Sequence, residues 1–177
     1  MAVNVSSIQF NQDDYIEQVQ ETLRLTGLPA HWLELEITES VAVKHLDWVK
    51  SRLDALKKLG INLALDDFGT GFSSLSYLKQ FPIDKLKIDR AFITDICHSN
   101  DEAVMAQAIL QMAHGLGMKV VAEGVEEPAQ LSFLIKRDCQ LIQGYFYSPP
   151  VESDDCLQLI RQGFKATPSE HLIKYMI

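Results

Sequence analysis

Short apolar segments alternate with longer amphipathic segments along the chain. In the amphipathic segments hydrophobic residues recur with helical spacing, as in residues 45–60, whose apolar face ends at Gly60. Strand and helix alternate roughly every 20–35 residues, which is typical of parallel strands joined by helical crossovers. The sequence therefore predicts an α/β fold in one domain over residues 1–177. The apolar segments, which are rich in β-branched residues, predict six strands at residues 2–10, 32–38, 61–67, 85–92, 119–125 and 140–148.

Every one of these strands contains a polar residue, often toward its carboxyl end. A single charge in a strand is usually a solvated edge residue or a cap for the next helix. Strands of parallel sheets normally read as continuous hydrophobic runs, however, and their carboxyl ends are where ligands bind. The repeated pattern therefore predicts a polar site at one rim of the sheet. Its candidate residues are Asn4, Glu36, Asp66, Asp67, Lys87, Glu123 and Gln143.

Counter-charge for these acids is scarce in the sequence. Lys87 is the one basic residue in the set, and buried carboxylates without a counter-charge must take up protons. Oxygen and amide ligands without histidine or cysteine favour Mg²⁺ or Mn²⁺ over zinc or copper. The adjacent pair Asp66 and Asp67 suits two ions bridged by one carboxylate. The sequence thus predicts a binuclear site for divalent cations.

Composition excludes several other classes of function. The chain has 24 acidic and 16 basic residues and a formal charge of −8, which argues against binding of DNA through its phosphate backbone. Three cysteines without CxxC spacing suggest neither a disulfide framework nor a structural zinc site, so we expect the reducing cytoplasm. No stretch reaches membrane-spanning length, so no membrane segment is expected in this chain.

Five stretches together resemble a known family. "VNVS", "ELEITES", "LALDDFGTGFSSLSYLKQFPIDKLKIDRAFI", "VVAEGVE" and "QGYFYSPP", in this order and spacing, are similar to the EAL domain. Members of that family are TIM-barrel phosphodiesterases that linearise the bacterial second messenger cyclic di-GMP to pGpG. The resemblance covers essentially the whole chain. It implies a TIM-type (β/α) barrel, two divalent ions (Mg²⁺ or Mn²⁺), cyclic di-GMP as ligand and a dimer.

The resemblance also implies roles for individual residues at the predicted rim. Asn4 and Glu36 would bind the first metal, Asp66 would bridge both ions, and Asp67 and Glu123 would hold the second.

A second group would take part in catalysis or support the site. Lys87 would orient the attacking water and stabilise the developing phosphate charge, so that the candidate catalytic residues are Lys87, Glu123 and Gln143. Glu126 and Gln143 would support the site and its water or metal contacts. Asp89 would orient Lys87, or would form a plain ion pair.

The segment from Phe68 to Ser74 resembles the mobile loop that couples metal and substrate binding to the dimer interface. Glu39 would anchor this loop, unless it only serves as a favourable charge at a helix N-terminus. The loop and support candidates are Glu39, Phe68, Gly69, Thr70, Gly71, Asp89 and Glu126.

Two further residues are candidates for substrate binding. Phe146 and Pro149 would lie next to a guanine, although packing within the barrel is the usual role of strand aromatics.

Two features depart from the family pattern. No Glu-Ala-Leu tripeptide, and therefore no arginine following it, occurs in the chain, and six strands are predicted where a closed barrel needs eight. The chain is therefore expected to lack the N-terminal portion of the domain, most simply as a fragment of a longer protein. The alternatives are a partner that supplies the missing strands, or closure as a smaller barrel.

These departures leave three functions open. The first is a phosphodiesterase impaired by the truncation. The second is a non-catalytic module that binds cyclic di-GMP or a protein partner, and the third is another metal-assisted TIM-barrel hydrolase.

Overall fold

A computed structural model describes residues 1–42, 46–69 and 78–163. Its strands are β1 (Ala2–Val5), β2 (Glu34–Thr38), β3 (Asn62–Phe68), β4 (Lys85–Ile88), β5 (Lys119–Ala122) and β6 (Leu141–Ile142). Its helices are α1 (Ser7–Phe10), α2 (Tyr15–Thr26), α3 (Glu39–Ala42), α4 (Leu46–Lys58), α5 (Arg90–Thr94), α6 (Asn100–Gly115), α7 (Pro128–Ile135) and α8 (Ser153–Gln162). A short 3₁₀ turn, Ala30–Trp32, precedes β2.

The six strands form one parallel sheet in the order β1-β2-β3-β4-β5-β6. Each strand is hydrogen-bonded to its neighbours in sequence, as right-handed crossover connections predict. Within the described residues β1 pairs only with β2 and β6 only with β5, so the sheet is open at both edges. The predicted α/β class and the six parallel strands are confirmed.

Four predicted strands were too long, because a helix or loop begins inside each. Residues 7–10 are helical: the Ser6 side chain accepts a hydrogen bond from the Gln9 amide (3.2 Å), and the Gln9 side chain accepts one from the Ser6 amide (3.1 Å). Asp89 likewise begins α5 by accepting from the Ala91 amide at 2.8 Å. Strands β5 and β6 end at residues 122 and 142, before the loops that follow them.

The sheet has an apolar face and a polar face. Along β3, Leu63 and Leu65 are fully buried under the surrounding helices, while Ala64 and Asp66 alternate with them on the other face. Helix α4 contributes Leu53 and Leu56 to the core. The side of the sheet away from the helices therefore carries the polar residues of the strands.

No helix within residues 1–42, 46–69 and 78–163 combines the length and the apolar character needed to cross a membrane.

Candidate functional site

The strand register brings the predicted polar residues to one rim. Asn4 on β1 lies opposite Glu36 on β2, and Thr38 lies opposite Asp66 on β3. Lys87 lies near the carboxyl end of β4, and the Glu123 amide, just after β5, donates to the Ile88 carbonyl at 3.1 Å. Because all strands are parallel, these positions meet at the same end of the sheet.

A β-bulge explains how two adjacent aspartates reach the same site. Leu65 pairs with Leu86 and Phe68 with Ile88, so β3 contains one residue more than β4 between these pairs. Asp67 adopts a left-handed backbone conformation with φ of 55°, which aspartate tolerates better than most residues. Its amide donates to the Asp66 carboxylate at 3.0 Å. The bulge interrupts the usual alternation, and both carboxylates face the rim.

Lys87 lies at the centre of the acidic cluster. Its Nζ is 2.8 Å from Glu36 Oε2, 3.0 Å from Asp66 Oδ1 and 2.8 Å from Glu123 Oε1, and the residue is only 5% exposed. Burial alone would lower the pKa of Lys87, but the hydrogen bonds with these three carboxylates outweigh it and raise the pKa above its ordinary value of 10.5. Lys87 therefore carries a fixed positive charge.

One lysine does not neutralise the whole cluster. Burial raises the pKa of the Glu123 carboxyl, and the Asp66 and Glu36 charges add to this against the opposing effect of Lys87. Burial also raises the pKa of Asp67, together with the charge of Asp66 and a hydrogen bond with the carboxyl group of Asp89. The site thus retains an excess of negative charge that favours cations.

The donor atoms fit divalent cations. Carboxylate oxygens of Asp66, Asp67 and Glu123 all lie within 4.8 Å of one another. The Asn4 amide group lies 3.2 Å from Glu36 Oε2 and 3.3 Å from Asp66 Oδ2, where its nitrogen can donate to both. When the Asn4 amide is rotated so that its oxygen faces this side, the oxygens of Asn4, Glu36 and Asp66 converge. Oxygen ligands of this kind are the donors that Mg²⁺ and Mn²⁺ prefer. Asn4 itself is exposed because β1 is an edge strand.

The start of the predicted loop is held by Glu39. This glutamate is 3% exposed and accepts a hydrogen bond from the Gly69 amide at 3.1 Å. Gly69 has φ of +100°, and a Cβ atom there would lie 2.6 Å from the Phe92 ring, so only glycine fits without displacing that ring. Phe68 is buried in the core. Thr70 and Gly71 lie outside the described residues.

Asp89 does not contact Lys87, which corrects the prediction that it orients the lysine. The carboxylates that pair with Lys87 are those of Glu36, Asp66 and Glu123. The Asp89 carboxylate instead caps α5 and faces Asp67. Within the described residues no ion pair joins Asp89 to Lys87, so the alternative of a plain ion pair is not formed either.

The remaining predicted residues lie farther around the rim. Glu126 forms an ion pair with Arg90 at 2.9 Å and is partly exposed. Gln143 follows β6, its side chain is exposed, and its amide donates to the Ala122 carbonyl at 2.9 Å. Phe146 is half-buried against the core, whereas Pro149 is exposed. The structure does not place these four residues in the cluster around Lys87.

Sequence reasoning missed the residues that hold the loop after β5. The aliphatic part of the Arg90 side chain fills the space beside Gly124. A Cβ atom added at Gly124 would lie 2.3 Å from the Cγ of Arg90. At Gly144 a Cβ atom would lie 2.1 Å from the Val125 carbonyl oxygen, so two loops touch through their backbones. The buried side chain of Gln130 binds the same loop. The spacing of Glu127 and Gln130, typical of a capping box, is the signal that would have pointed to Gln130.

The raised pKa values predict how pH changes the effect of metal on stability. Above the ordinary pKa values of 4.5 for Glu123 and 3.8 for Asp67, the folded chain holds more protons at these groups than the unfolded chain, so their contribution to stability falls as pH rises through the raised values. Metal ions bind the deprotonated carboxylates. We therefore expect the difference between the melting temperatures in Mn²⁺ and in chelator to increase from about pH 5 to about pH 7.5.

Thermal unfolding in paired samples measures this difference, and Glu123→Gln is the control that should flatten it. A gap that stays constant or narrows with rising pH would contradict the assignment of these carboxylates to a metal site.

Comparisons with known proteins give matches over most of the chain. The family model described as "EAL domain" matches residues 1–150. Cyclic di-GMP phosphodiesterase NbdA of Pseudomonas aeruginosa is 46% identical over 151 residues, which make up 85% of this chain and 19% of that protein. The chain spans about a fifth of the length of such curated relatives.

Solved structures show the same architecture. The PaMucR phosphodiesterase in complex with c-di-GMP matches with a TM-score of 0.85 at 39% identity, covering 88% of this chain and 63% of that chain. Klebsiella pneumoniae BlrP1, solved with manganese and cyclic di-GMP, matches with a TM-score of 0.77 at 32% identity, covering 84% and 38%.

Proposed function

Since this chain belongs to the EAL domain family, we propose that it binds cyclic di-GMP and hydrolyses one of its phosphodiester bonds to give linear pGpG. The observation that carries the proposal is the convergence of Glu36, Asp66, Asp67 and Glu123 around Lys87 at one rim of the sheet. The relative NbdA is named a cyclic di-GMP phosphodiesterase, and PaMucR was solved with this ligand.

We assign the oxygen ligands of this rim to two divalent ions. Asn4, Glu36 and Asp66 would hold one, and Asp66, Asp67 and Glu123 the other, with Asp66 shared. Bound Mg²⁺ or Mn²⁺ supplies Lewis acidity toward the phosphate and the attacking water. The manganese complex of BlrP1 supports a divalent ion in the family.

The chain's own side chains would position the reactants. Lys87 Nζ carries a fixed charge and three donor hydrogens, with which it can hold a water and a non-bridging phosphate oxygen once carboxylates turn toward the ions. A Glu123 carboxylate oxygen that is not engaged by an ion could accept a proton from that water. Formation of pGpG requires the water oxygen to bond to phosphorus while the P–O3′ bond breaks, and the released O3′ takes up a proton from solvent to become a hydroxyl group.

Other predicted roles remain part of the proposal. Gln143 and Glu126 would support the rim, and Phe146 and Pro149 would flank a guanine from the segment after β6. The segment from Phe68 to Ser74 would contribute to a homodimer interface. We also propose a cytoplasmic location, in which all three cysteines remain free thiols, as in the structure.

The open sheet supports reduced activity for this chain alone. In the part of the chain that the structure describes, β1, which carries Asn4, pairs with β2 alone, and the Glu-Ala-Leu motif is absent from the sequence. Water can replace a missing ligand of Mg²⁺, but with weaker binding. A partner or a longer form of the protein that adds strands at this edge would restore the site.

A second function is favoured by the absence of the Glu-Ala-Leu motif from the sequence. It is a non-catalytic module that binds cyclic di-GMP or a protein partner without cleavage.

The test of function is incubation of the purified chain with cyclic di-GMP in Mn²⁺ or in chelator, followed by chromatography and calorimetry. We expect metal-dependent binding and slow formation of pGpG, both lost in chelator. Binding that survives chelation without any product would support the binding module. A lack of binding in both conditions would contradict both functions.

A further inference from the structure

A buried glutamine outside the acidic cluster binds the loop that carries Glu123. Gln130 lies in the first turn of α7 and is 3% exposed. Its Oε1 accepts hydrogen bonds from the backbone amides of Glu126 at 2.8 Å and Glu127 at 2.9 Å. These amides follow Glu123 by three and four residues, so the side chain fixes the path of the loop just after that carboxylate.

The other end of the same side chain binds the helix that follows β4. Gln130 Nε2 donates to the carbonyl of Ile93 at 3.2 Å and to that of Thr94 at 3.0 Å. Both carbonyls belong to α5, which starts directly after the strand that carries Lys87. One amide group therefore ties together the segments after β4 and after β5.

The chemistry of this link requires an amide. The Oε1 atom accepts two bonds and the Nε2 hydrogens are both used, so all of its usual hydrogen-bonding capacity is satisfied. A carboxylate in its place would accept but not donate, and an aliphatic side chain would do neither. A side chain that only capped α7 would need the accepting Oε1 atom but not the donating Nε2 group.

We propose that Gln130 is a positioning residue that sets the distance between Glu123 and Lys87, which is 2.8 Å in this structure. It acts through the backbone and contacts neither of these side chains. This inference rests on the proposed function, because the consequence of the distance is the geometry of the metal ligand Glu123. Outer partners of this kind keep metal ligands in place.

The matched experiment compares two glutamines that accept hydrogen bonds from backbone amides on either side of the β5 rim end: Gln130 from the loop after β5, and Gln140 from within the strand. Gln140 Oε1 accepts from the Val120 amide at 3.0 Å, near the amino end of β5 and away from the rim. Mn²⁺ affinity is measured on the full chain by titration calorimetry, with melting temperatures in chelator recorded for each variant. We expect Gln130→Leu to weaken Mn²⁺ binding about tenfold and Gln140→Leu less than about twofold.

A second variant keeps the experiment informative where Gln130→Leu fails to fold. Gln130→Glu retains the two accepted hydrogen bonds and the cap of α7 but loses at least one of the two bonds to α5, because a carboxyl group has at most one hydrogen to donate. We expect it to fold and still to weaken Mn²⁺ binding several-fold. Weaker binding without a proportionate fall in melting temperature distinguishes positioning from general stabilisation.

The outcomes separate this inference from the function on which it rests. Unchanged Mn²⁺ affinity in Gln130→Glu and Gln130→Leu, beside a wild-type chain that binds the ion, would overturn the positioning role and leave the proposed function standing. A wild-type chain that binds no Mn²⁺ would overturn the metal site, and the positioning role with it.

Discussion

Replacing Lys87 with methionine is expected to destabilise the metal-free chain by about 3–5 kcal/mol near neutral pH. The substitution removes the cation that three carboxylates share, those of the buried Glu36 and Asp66 and the half-buried Glu123. Unpaired, these groups repel one another and resist ionisation, and the folded state bears this cost. Divalent ions supply the missing charge, so Mn²⁺ should raise the melting temperature of Lys87→Met more than that of the wild type.

Lys85→Met is the matched control for this experiment. Lys85 lies two residues earlier on the same face of β4 and pairs with Glu34 at 2.6 Å, one layer below the rim. Its loss should also lower the melting temperature, but Mn²⁺ should not restore what is lost. Equal recovery of both variants, or none in Lys87→Met, would show that the ions do not occupy the cluster around Lys87.

Asp66→Asn is expected to have the largest effect on metal binding. Asp66 lies between the two groups of oxygen ligands, so neutralising it weakens both proposed ions at once. We expect Mn²⁺ affinity to fall by more than about 100-fold, beyond the loss seen when an outer partner of a ligand is removed. Any formation of pGpG should disappear with it.

The same variant should not lose stability in chelator. Asparagine keeps the size of the side chain and removes one of several mutually repelling charges, so the melting temperature should stay equal or rise, as functional residues often allow. Glu34→Gln is the control, since it neutralises an acid on the neighbouring strand below the rim. Calorimetric titration that shows similar losses of Mn²⁺ affinity in both variants would contradict a site centred on Asp66.

The positions of the strands were predictable because the hydrophobic runs and the spacing of the crossovers indicate them directly. The residues at which the strands end were less predictable. Residues 7–10 look like a continuation of β1 in apolar content, yet the reciprocal hydrogen bonds of Ser6 and Gln9 begin a helix there. A capping box outweighs the preference of a few residues for the extended state.

The bulge at Asp66 and Asp67 was not visible in the sequence. Regular alternation would place the two carboxylates on opposite faces of the sheet. The family resemblance implied that both act at one site, but only the unequal count between β3 and β4 provides the geometry. Asp89 was predicted to orient Lys87 or to form a plain ion pair with it, whereas its carboxyl group caps α5 and faces Asp67, contacts that the sequence does not indicate.

Long-range hydrogen bonds were the hardest feature to anticipate. Gln130 binds carbonyl groups that lie 36 and 37 residues earlier in the chain, and nothing in its local pattern indicates them. The local capping pattern reveals half of its contacts, and the packing of α7 against α5 determines the rest.

The bulge also interrupts the regular pairing along one seam of the sheet. β3 follows β2 without interruption from Asn62 to Asp66, whereas its ladder to β4 is broken between Leu65 and Phe68. Asp66 therefore lies in a regular ladder on the side of β2 and at a break on the side of Lys87. If the proposed cations take the place of the lysine beside its three acidic partners, β3 and β4 can separate at this break without loss of a regular ladder.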